Sequence, residues 1–470
     1  MVKSENTYKI MFTLTQIIFK ICLKYKLYLV CALIFRIAIK ERSPAGGDSF
    51  IYSNNGNRNT LLLLDSARYR GDIDALASNN MFRILHITQG WQSLLVGCLF
   101  ESDESLHDII FAKNGSQLYR KNIITIDFVT HVLGYLYKMI RVDAVVTVHF
   151  KYINDYHWVL SSEKMNIPHI MLYRECNLFS DSIYRHLLKK IEDQDKFIGS
   201  HIIVHNEISK KAFLDGNFSQ KGRISVCGAL RMDKLLENLK NNPCGLGNFS
   251  KKKKFILFYF PYNSTTFGYS KRAIANGSFW KYSKKLFKEL HISIIQLAVE
   301  YPDIEFIIKP KREFLLEKDW EFFKKVLKDS NIDISKLSNY KIEPEMDVHN
   351  IIINSDVICG LQSSTTIESA IIGKKVILPL FFNFSDSDFY SDFPWKNHIN
   401  LFDVATDSLQ FKKMVIDGIK EPKILKNIMR KRRVLFKKVF GSLEPDALDK
   451  YSDAITRVID SNKLLNSDNT

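Results

Sequence analysis

A chain of 470 residues is longer than one hydrophobic core usually organises, so two domains with terminal additions are expected. Its 46% hydrophobic and 25% charged residues exclude the disordered and collagen-like classes. A formal net charge of +16 favours polyanionic partners, namely an anionic membrane, nucleic acid or phosphorylated substrates, without choosing among them. The seven cysteines are scattered, odd in number and without a C-x-x-C pair, which excludes a secreted disulfide framework or a zinc module. With no cleavable signal pattern at the N-terminus either, a reducing, cytoplasmic location is expected.

Residues 1–44 read as an apolar and basic helical segment. Ile17 to Phe35 is strongly apolar, but Lys20, Lys24 and Lys26 interrupt it and leave only Leu27 to Phe35 free of charge, too short to span a bilayer. Such a segment either lies in a membrane interface with its lysines at anionic head groups, or packs on the protein itself. After a loop of Ser43, Pro44, Ala45, Gly46 and Gly47, residues 45–240 alternate apolar strands with helices, as in a parallel α/β domain. Thr60 to Leu64 is a buried strand running into a polar loop, Asp65 to Asp72, and a helix from about Ile73. Met81 to Thr88 and Asn122 to Phe128 are weaker strands. A β-α-β unit follows, with Ala144 to Val148, helix His157 to Asn166, and Pro168 to Leu172. His201 to Val204 and Arg223 to Val226 are further strands.

Asn241 to Ser250 is rich in Asn, Gly and Pro and is followed by lysines, which places a linker at 241–254. A second α/β lobe occupies 255–440, with strands at Phe255 to Phe260, Glu305 to Ile308, Val357 to Cys359 and Lys375 to Leu378. Residues 441–470 form a C-terminal helix and tail. Two Rossmann-like lobes joined near residue 245 describe a two-lobed enzyme whose site lies between them, because ligands bind beyond the carboxyl ends of such strands.

That rule selects the loops to inspect. Ser363, Ser364 and Thr365 lie between a strand and a helix, where hydroxyls and free N–H groups favour a phosphate. Thr365-x-x-Glu368 also reads as a capping box. Lys309 and Arg312 follow a strand and suit neutralisation of a leaving pyrophosphate. Tyr262, Ser264 and Thr265 follow another. In the first lobe Glu175, Asp72 and Asp65 sit on strand-end loops, where one carboxylate can serve as general base for an acceptor hydroxyl; His149 is the other base considered, although a lone histidine there is commonly structural. The basic clusters at Lys251 to Lys254 and Arg430 to Lys438 read as solvated faces. Neither a dinucleotide fingerprint nor a P-loop occurs. Asp386-Ser387-Asp388 has a D-x-D spacing but lies too late in the chain to hold a metal-bound nucleotide.

Two stretches carry a resemblance. His201-Ile202-Ile203-Val204-His205-Asn206-Glu207 with Ile224 to Asp233, and Ser363 to Ala370 with Gly373 to Ile377, resemble bacterial surface-carbohydrate transferases of the GT-B fold, a group that includes CDP-glycerol glycerophosphotransferase-like enzymes and Kdo transferases. The resemblance covers roughly Ala144 to Ile459. It implies two Rossmann-like lobes facing a cleft with N- and C-terminal helices, a donor held mainly by the second lobe, and no cofactor or catalytic metal. It also implies a lipid-linked glycan acceptor. Many relatives have a His-Pro pair where this chain has Lys309-Pro310. The expected function is glycosyl transfer from a nucleotide-activated sugar donor to a surface polysaccharide, capsule or lipopolysaccharide acceptor, by an enzyme peripheral to the inner face of the cytoplasmic membrane. The alternatives are CDP-glycerol-type polyol-phosphate transfer, nucleotide-sugar epimerisation, and a basic membrane- or nucleic-acid-binding protein without catalysis. On the enzyme reading no nucleic-acid partner is expected.

Overall fold

The computed structural model describes residues 14–51, 57–69, 71–97, 100, 104–151, 153–175, 181–194, 196–241, 253–258, 277–310, 318–329, 331–361, 363–387 and 390–467. The chain divides into two compact α/β units. The first comprises Met1–Arg174, Gln194–Asp233 and Asp446–Thr470; the second comprises Glu175–Asp193 and Lys234–Pro445.

The first unit is built on an eight-stranded sheet of β1 (Lys40–Arg42), β2 (Asp48–Phe50), β3 (Thr60–Leu63), β4 (Arg83–His86), β5 (Ala144–Thr147), β6 (His169–Tyr173), β7 (His201–Val204) and β8 (Ile224–Val226). Its order is β2-β1-β4-β3-β5-β6-β7-β8. From β4 to β8 every pairing is parallel, and β3, β5 and β6 are buried along their whole length. Their near-continuous apolar sequences suit a sheet covered on both faces. Side chains alternate across it: Leu62 and Leu64 enter one core with Phe35, Phe128 and Trp158, whereas Leu61 and Leu63 enter the other with Tyr69, Tyr451 and Ile455.

One sequence expectation is corrected in this unit and one is extended. The loop at residues 43–47 is the turn of an antiparallel β1–β2 hairpin, closed by the Ser43 N–H on Gly47 O at 3.0 Å, with Gly46 and Gly47 at positive φ. These strands are polar and short, so hydrophobic alternation did not reveal them. Asn122 to Phe128 is not a strand, because it lies inside the helix Gln117–Ile140. Ser116 caps that helix, its Oγ accepting from the Tyr119 N–H, and the buried positions Asn122, Thr125, Ile126, Val129, Leu133 and Leu136 follow a 3.6-residue period. The local β-branched run misleads because a helix buried on one face tolerates it. This is the one described helix long and apolar enough to cross a membrane, and half of its most apolar window is buried inside the fold.

The second unit has six parallel strands, β9 (Lys253–Phe258), β10 (Ile304–Lys309), β11 (Tyr340–Ile342), β12 (Val357–Cys359), β13 (Lys375–Pro379) and β14 (Asp403–Ala405), in the order β11-β10-β9-β12-β13-β14. Counted from β9 this is 3-2-1-4-5-6, the Rossmann order, whose switch point falls between β9 and β12. Counted from β3, the parallel strands of the first unit run 2-1-3-4-5-6, so its switch point falls between β3 and β5. Strands β11 and β14 went unrecognised in the sequence, since Lys341 and Asp403 leave these three-residue strands without a continuous apolar run.

Arg432, expected on a solvated face, is instead buried and ties the second unit together. Its guanidinium donates to Leu401 O and Lys374 O at 2.9 Å and to Ala370 O at 3.4 Å, and burial lowers its pKa to about 10. Lys374 is held the same way, donating to Ile353 O at 2.7 Å and Ser355 O at 2.6 Å, with burial lowering its pKa to about 8. Arg432 satisfies carbonyls at the C-terminal end of the helix Ser364–Ile371 and Lys374 those at the end of the helix Val348–Ile353, ends where a positive charge is also favoured by the helix dipole. They fix the element that carries the strand-end loop of β12.

Candidate functional site

In the first unit the switch point collects carboxylates. Asp65 lies two residues beyond β3 in a left-handed conformation, φ 51° and ψ 65°, which aspartate tolerates better than most residues but at some cost. It is 3% exposed, and Arg68 Nε donates to its Oδ2 at 3.1 Å. Burial raises its pKa, and Arg68 opposes the rise. Across the switch point, Asp155 follows β5 and is also buried; it accepts a hydrogen bond from Gln92 Nε2. Gln92 is fixed in turn, its Nε2 donating to Asn154 O at 3.1 Å and its backbone carbonyl accepting from Trp158 Nε1 at 3.2 Å. Burial pushes Asp155 up to about 7; the Gln92 hydrogen bond opposes this, and the charge of Asp65 adds to it. A buried acid that also feels the charge of Asp65, at the crevice where such folds bind ligands, can hold its proton near neutrality.

Asp72 and Arg174 are the second feature of this unit. Arg174 Nε lies 2.6 Å from Asp72 Oδ2 with both side chains largely buried, and Arg174 also donates to Arg68 O. Tyr69, wholly buried beside them, donates to Val146 O at 2.7 Å. Asp72 is thus brought to the same end of the sheet as Asp65, but as the partner of an arginine. Glu175 is exposed and groups with the second unit. His149 Nδ1 accepts from the Lys151 N–H at 3.0 Å, so its ring shapes its own turn.

In the second unit Ser363 is the N-cap of Ser364–Ile371, its Oγ accepting from the Thr365 N–H at 3.4 Å and from Thr365 Oγ1 at 2.7 Å. The capping box read at Thr365 is therefore corrected: the cap lies two residues earlier. Glu368 is buried and faces His349, with Oε2 3.3 Å from Nε2, His349 being the more exposed of the two. Gly360, just beyond β12, is closely packed, since a Cβ there would stand 3.0 Å from Thr366 Oγ1. Thr366 is fully buried, and its hydroxyl has no hydrogen-bond partner among the described residues. Lys309 ends β10, two strands from β12, and its amine donates to Pro310 O at 3.1 Å and Pro344 O at 2.8 Å. Tyr262, Ser264, Thr265 and Arg312 lie outside the described residues, as does Asp388. Among the described residues no group of three His, Cys, Asp or Glu side chains is placed to hold a metal ion.

Residues not selected from the sequence are Asp155, Arg174, His205 and Arg231. His205 follows β7 directly, is 1% exposed, and has neither ring nitrogen hydrogen-bonded among the described residues. Burial, then Arg231 and Arg174, lower its pKa well below the usual histidine value. Its place one residue past a strand was a usable signal. For Asp155 the signal was the switch point itself, which requires the strand order.

No family model matches the chain, and no curated protein matches it. Solved structures do. UDP-GlcNAc 2-epimerase from Neisseria meningitidis bound to UDP-GlcNAc is 14% identical, with 85% of this chain and 100% of that chain covered at a TM-score of 0.45. The wall teichoic acid polymerase TagF, in a CDPG soak, is 13% identical over 87% of this chain and 90% of its own, at 0.43. The calicheamicin glycosyltransferase CalG4 is 10% identical over 86% and 100%, at 0.41. These are distant likenesses in fold to a chain that, by its own strand order and register, is a protein of two successive Rossmann-like α/β units.

Proposed function

We propose that the protein is a glycosyltransferase of GT-B type, moving a sugar from a nucleotide-activated donor to a surface polysaccharide or lipopolysaccharide acceptor at the inner face of the cytoplasmic membrane. The observation that carries this reading is the match of chemistry to topology. The second unit has a hydroxyl-rich helix N-terminus at its Rossmann switch point, and the first has the buried carboxyls of Asp65 and Asp155 after the two strands that flank its own.

In this reading the N–H groups and hydroxyls of Ser363, Ser364 and Thr365 take the donor phosphates, favoured by the helix dipole. Lys309, Arg312 and the loop of Tyr262, Ser264 and Thr265 complete the donor side, and Glu368 steadies His349 toward the ribose. Asp155 accepts the proton of the acceptor hydroxyl as its oxygen bonds to the anomeric carbon. The bond from that carbon to the phosphate oxygen breaks, and the nucleotide leaves with its charge met by the helix N-terminus and Lys309. A pKa of about 7 suits a base working near neutrality. Asp72, engaged by Arg174, positions that loop, and Glu175 remains a candidate for contact with the acceptor.

The test is a thermal-shift screen with CDP-, CMP-, UDP- and GDP-linked sugars and CDP-glycerol, followed by product analysis with and without a glycan acceptor. Acceptor-dependent glycoside formation supports the proposal. Acceptor-independent inversion at a sugar carbon identifies an epimerase, and transfer of glycerol phosphate identifies the polyol-phosphate reaction. Failure of every donor to bind at salt that screens nonspecific attraction leaves a basic binding protein.

A further inference from the structure

The N-terminal segment forms a helical hairpin. A helix over residues 14–24 ends at Lys26, whose φ is 56°, and the Leu27 N–H closes the turn on Cys22 O at 2.8 Å before the helix Tyr28–Ala38. One face is core: Phe19, Cys22, Cys31 and Phe35 are buried, and the Tyr28 ring packs on Phe128 and stacks on His131 at 4.7 Å. The opposite face is apolar as well. Leu14, Ile17, Ile18 and Ile21 recur at helical spacing and are 41% to 55% exposed; Leu29, Leu33 and Ile37 continue the stripe on the second helix at 44% to 67%. Soluble proteins seldom leave an apolar stripe of this extent facing water without a partner.

We infer that this hairpin face is a docking surface for an anionic lipid bilayer. Charge selects the occupant. Residues 14–40 hold Lys20, Lys24, Lys26, Arg36 and Lys40 and not one carboxylate. Lys20 and Lys24 are exposed beside the apolar stripe, where apolar side chains enter the acyl boundary and amines meet lipid phosphates. A second copy on the same face would bring these cations against themselves with no acid between them. The first helix also lines, through Gln16 and Lys20, a cavity of about 430 Å³ whose other walls include Ser93, Phe100 and Asn154, the neighbour of Asp155. Docking therefore puts a lipid-linked acceptor on the side of the first unit that carries this cavity, a consequence that rests on the glycosyltransferase reading; the docking does not.

The test is flotation of the full chain with phosphatidylcholine vesicles, with and without a third of phosphatidylglycerol, in the absence of any donor. Wild type is expected to float with the anionic vesicles, and less so at high salt. At about fivefold per near-surface cation, Lys20→Gln with Lys24→Gln lowers partitioning roughly 25-fold. Ile21→Asp with Ile37→Asp abolishes it while leaving the thermal midpoint within about 2 °C, as expected at exposed positions. Should the aspartate pair misfold, the lysine pair still decides. The inference is overturned if wild type ignores anionic vesicles, or if both variant pairs float as wild type does. It is equally overturned if the apolar substitutions only dissociate a dimer, which would identify a second copy as the occupant. Because donor binding and transfer are not read, failure here leaves the transferase reading untouched.

Discussion

Replacing Asp155 by asparagine separates stability from chemistry. The carboxyl titrates at 3.8 in an unfolded chain and at about 7 in the fold, raised chiefly by burial. Between those values the folded state holds more protons than the unfolded one, so this group's contribution to stability declines as pH rises from about 4 to about 7, and the full penalty is present above that range. The difference corresponds to at most about 4 kcal/mol, so about 2–4 kcal/mol of destabilisation is expected at pH 8. The amide keeps the shape and accepts the Gln92 hydrogen bond without ionising. Thermal unfolding followed at pH 5 and pH 8 should therefore show the Asp155→Asn protein closer to wild type at the lower pH, where only roughly 1–2 kcal/mol of the penalty is present. At the higher pH its first unit should melt roughly 5–15 °C above wild type. Transfer should fall by about 10²-fold or more, because the base is gone. An asparagine variant less stable than wild type at pH 8, or a difference identical at the two pH values, would refute the assignment of Asp155 as a buried, reluctantly ionised acid.

Arg174→Met strands the Asp72 carboxylate in a buried site and should cost about 3–5 kcal/mol, most of it recovered when Asp72→Asn is added; a double-mutant cycle by urea denaturation measures the coupling. Ser363→Ala removes the cap of Ser364–Ile371 and should cost the second unit about 1 kcal/mol while weakening donor binding, read by the thermal midpoint with and without donor. Gly360→Ala drives a methyl group toward Thr366 Oγ1 and should destabilise by about 1–3 kcal/mol on the same denaturation curves, since the hydroxyl belongs to a packed helix.

Much of the architecture was legible because buried parallel strands announce themselves as short apolar runs: His201 to Val204 and Val357 to Cys359 were read to the residue. What failed was short, polar or pattern-ambiguous, as with β1, β2, β11 and β14, and with Asn122 to Phe128, where a β-branched stretch within a long helix imitates a strand. The loops at strand ends were also found, so Asp65, Asp72, Ser363 and Lys309 lie where the α/β rule places them. Their partners were not found. That Asp72 is held by Arg174, that Asp155 feels the charge of Asp65, and that Glu368 meets His349 depends on proximity between residues some 20 to 100 positions apart, set by sheet order rather than by local sequence.

The most direct test of the division of labour is donor binding by wild type, Ser363→Glu and Asp155→Asn proteins side by side, measured by calorimetry with the nucleotide sugar that gives the largest thermal shift. Ser363→Glu should lose binding at least tenfold, because a carboxylate then occupies the phosphate position, whereas Asp155→Asn should bind within about twofold of wild type and fail to transfer. Equal donor affinity in wild type and Ser363→Glu, or full transfer by Asp155→Asn, would contradict it.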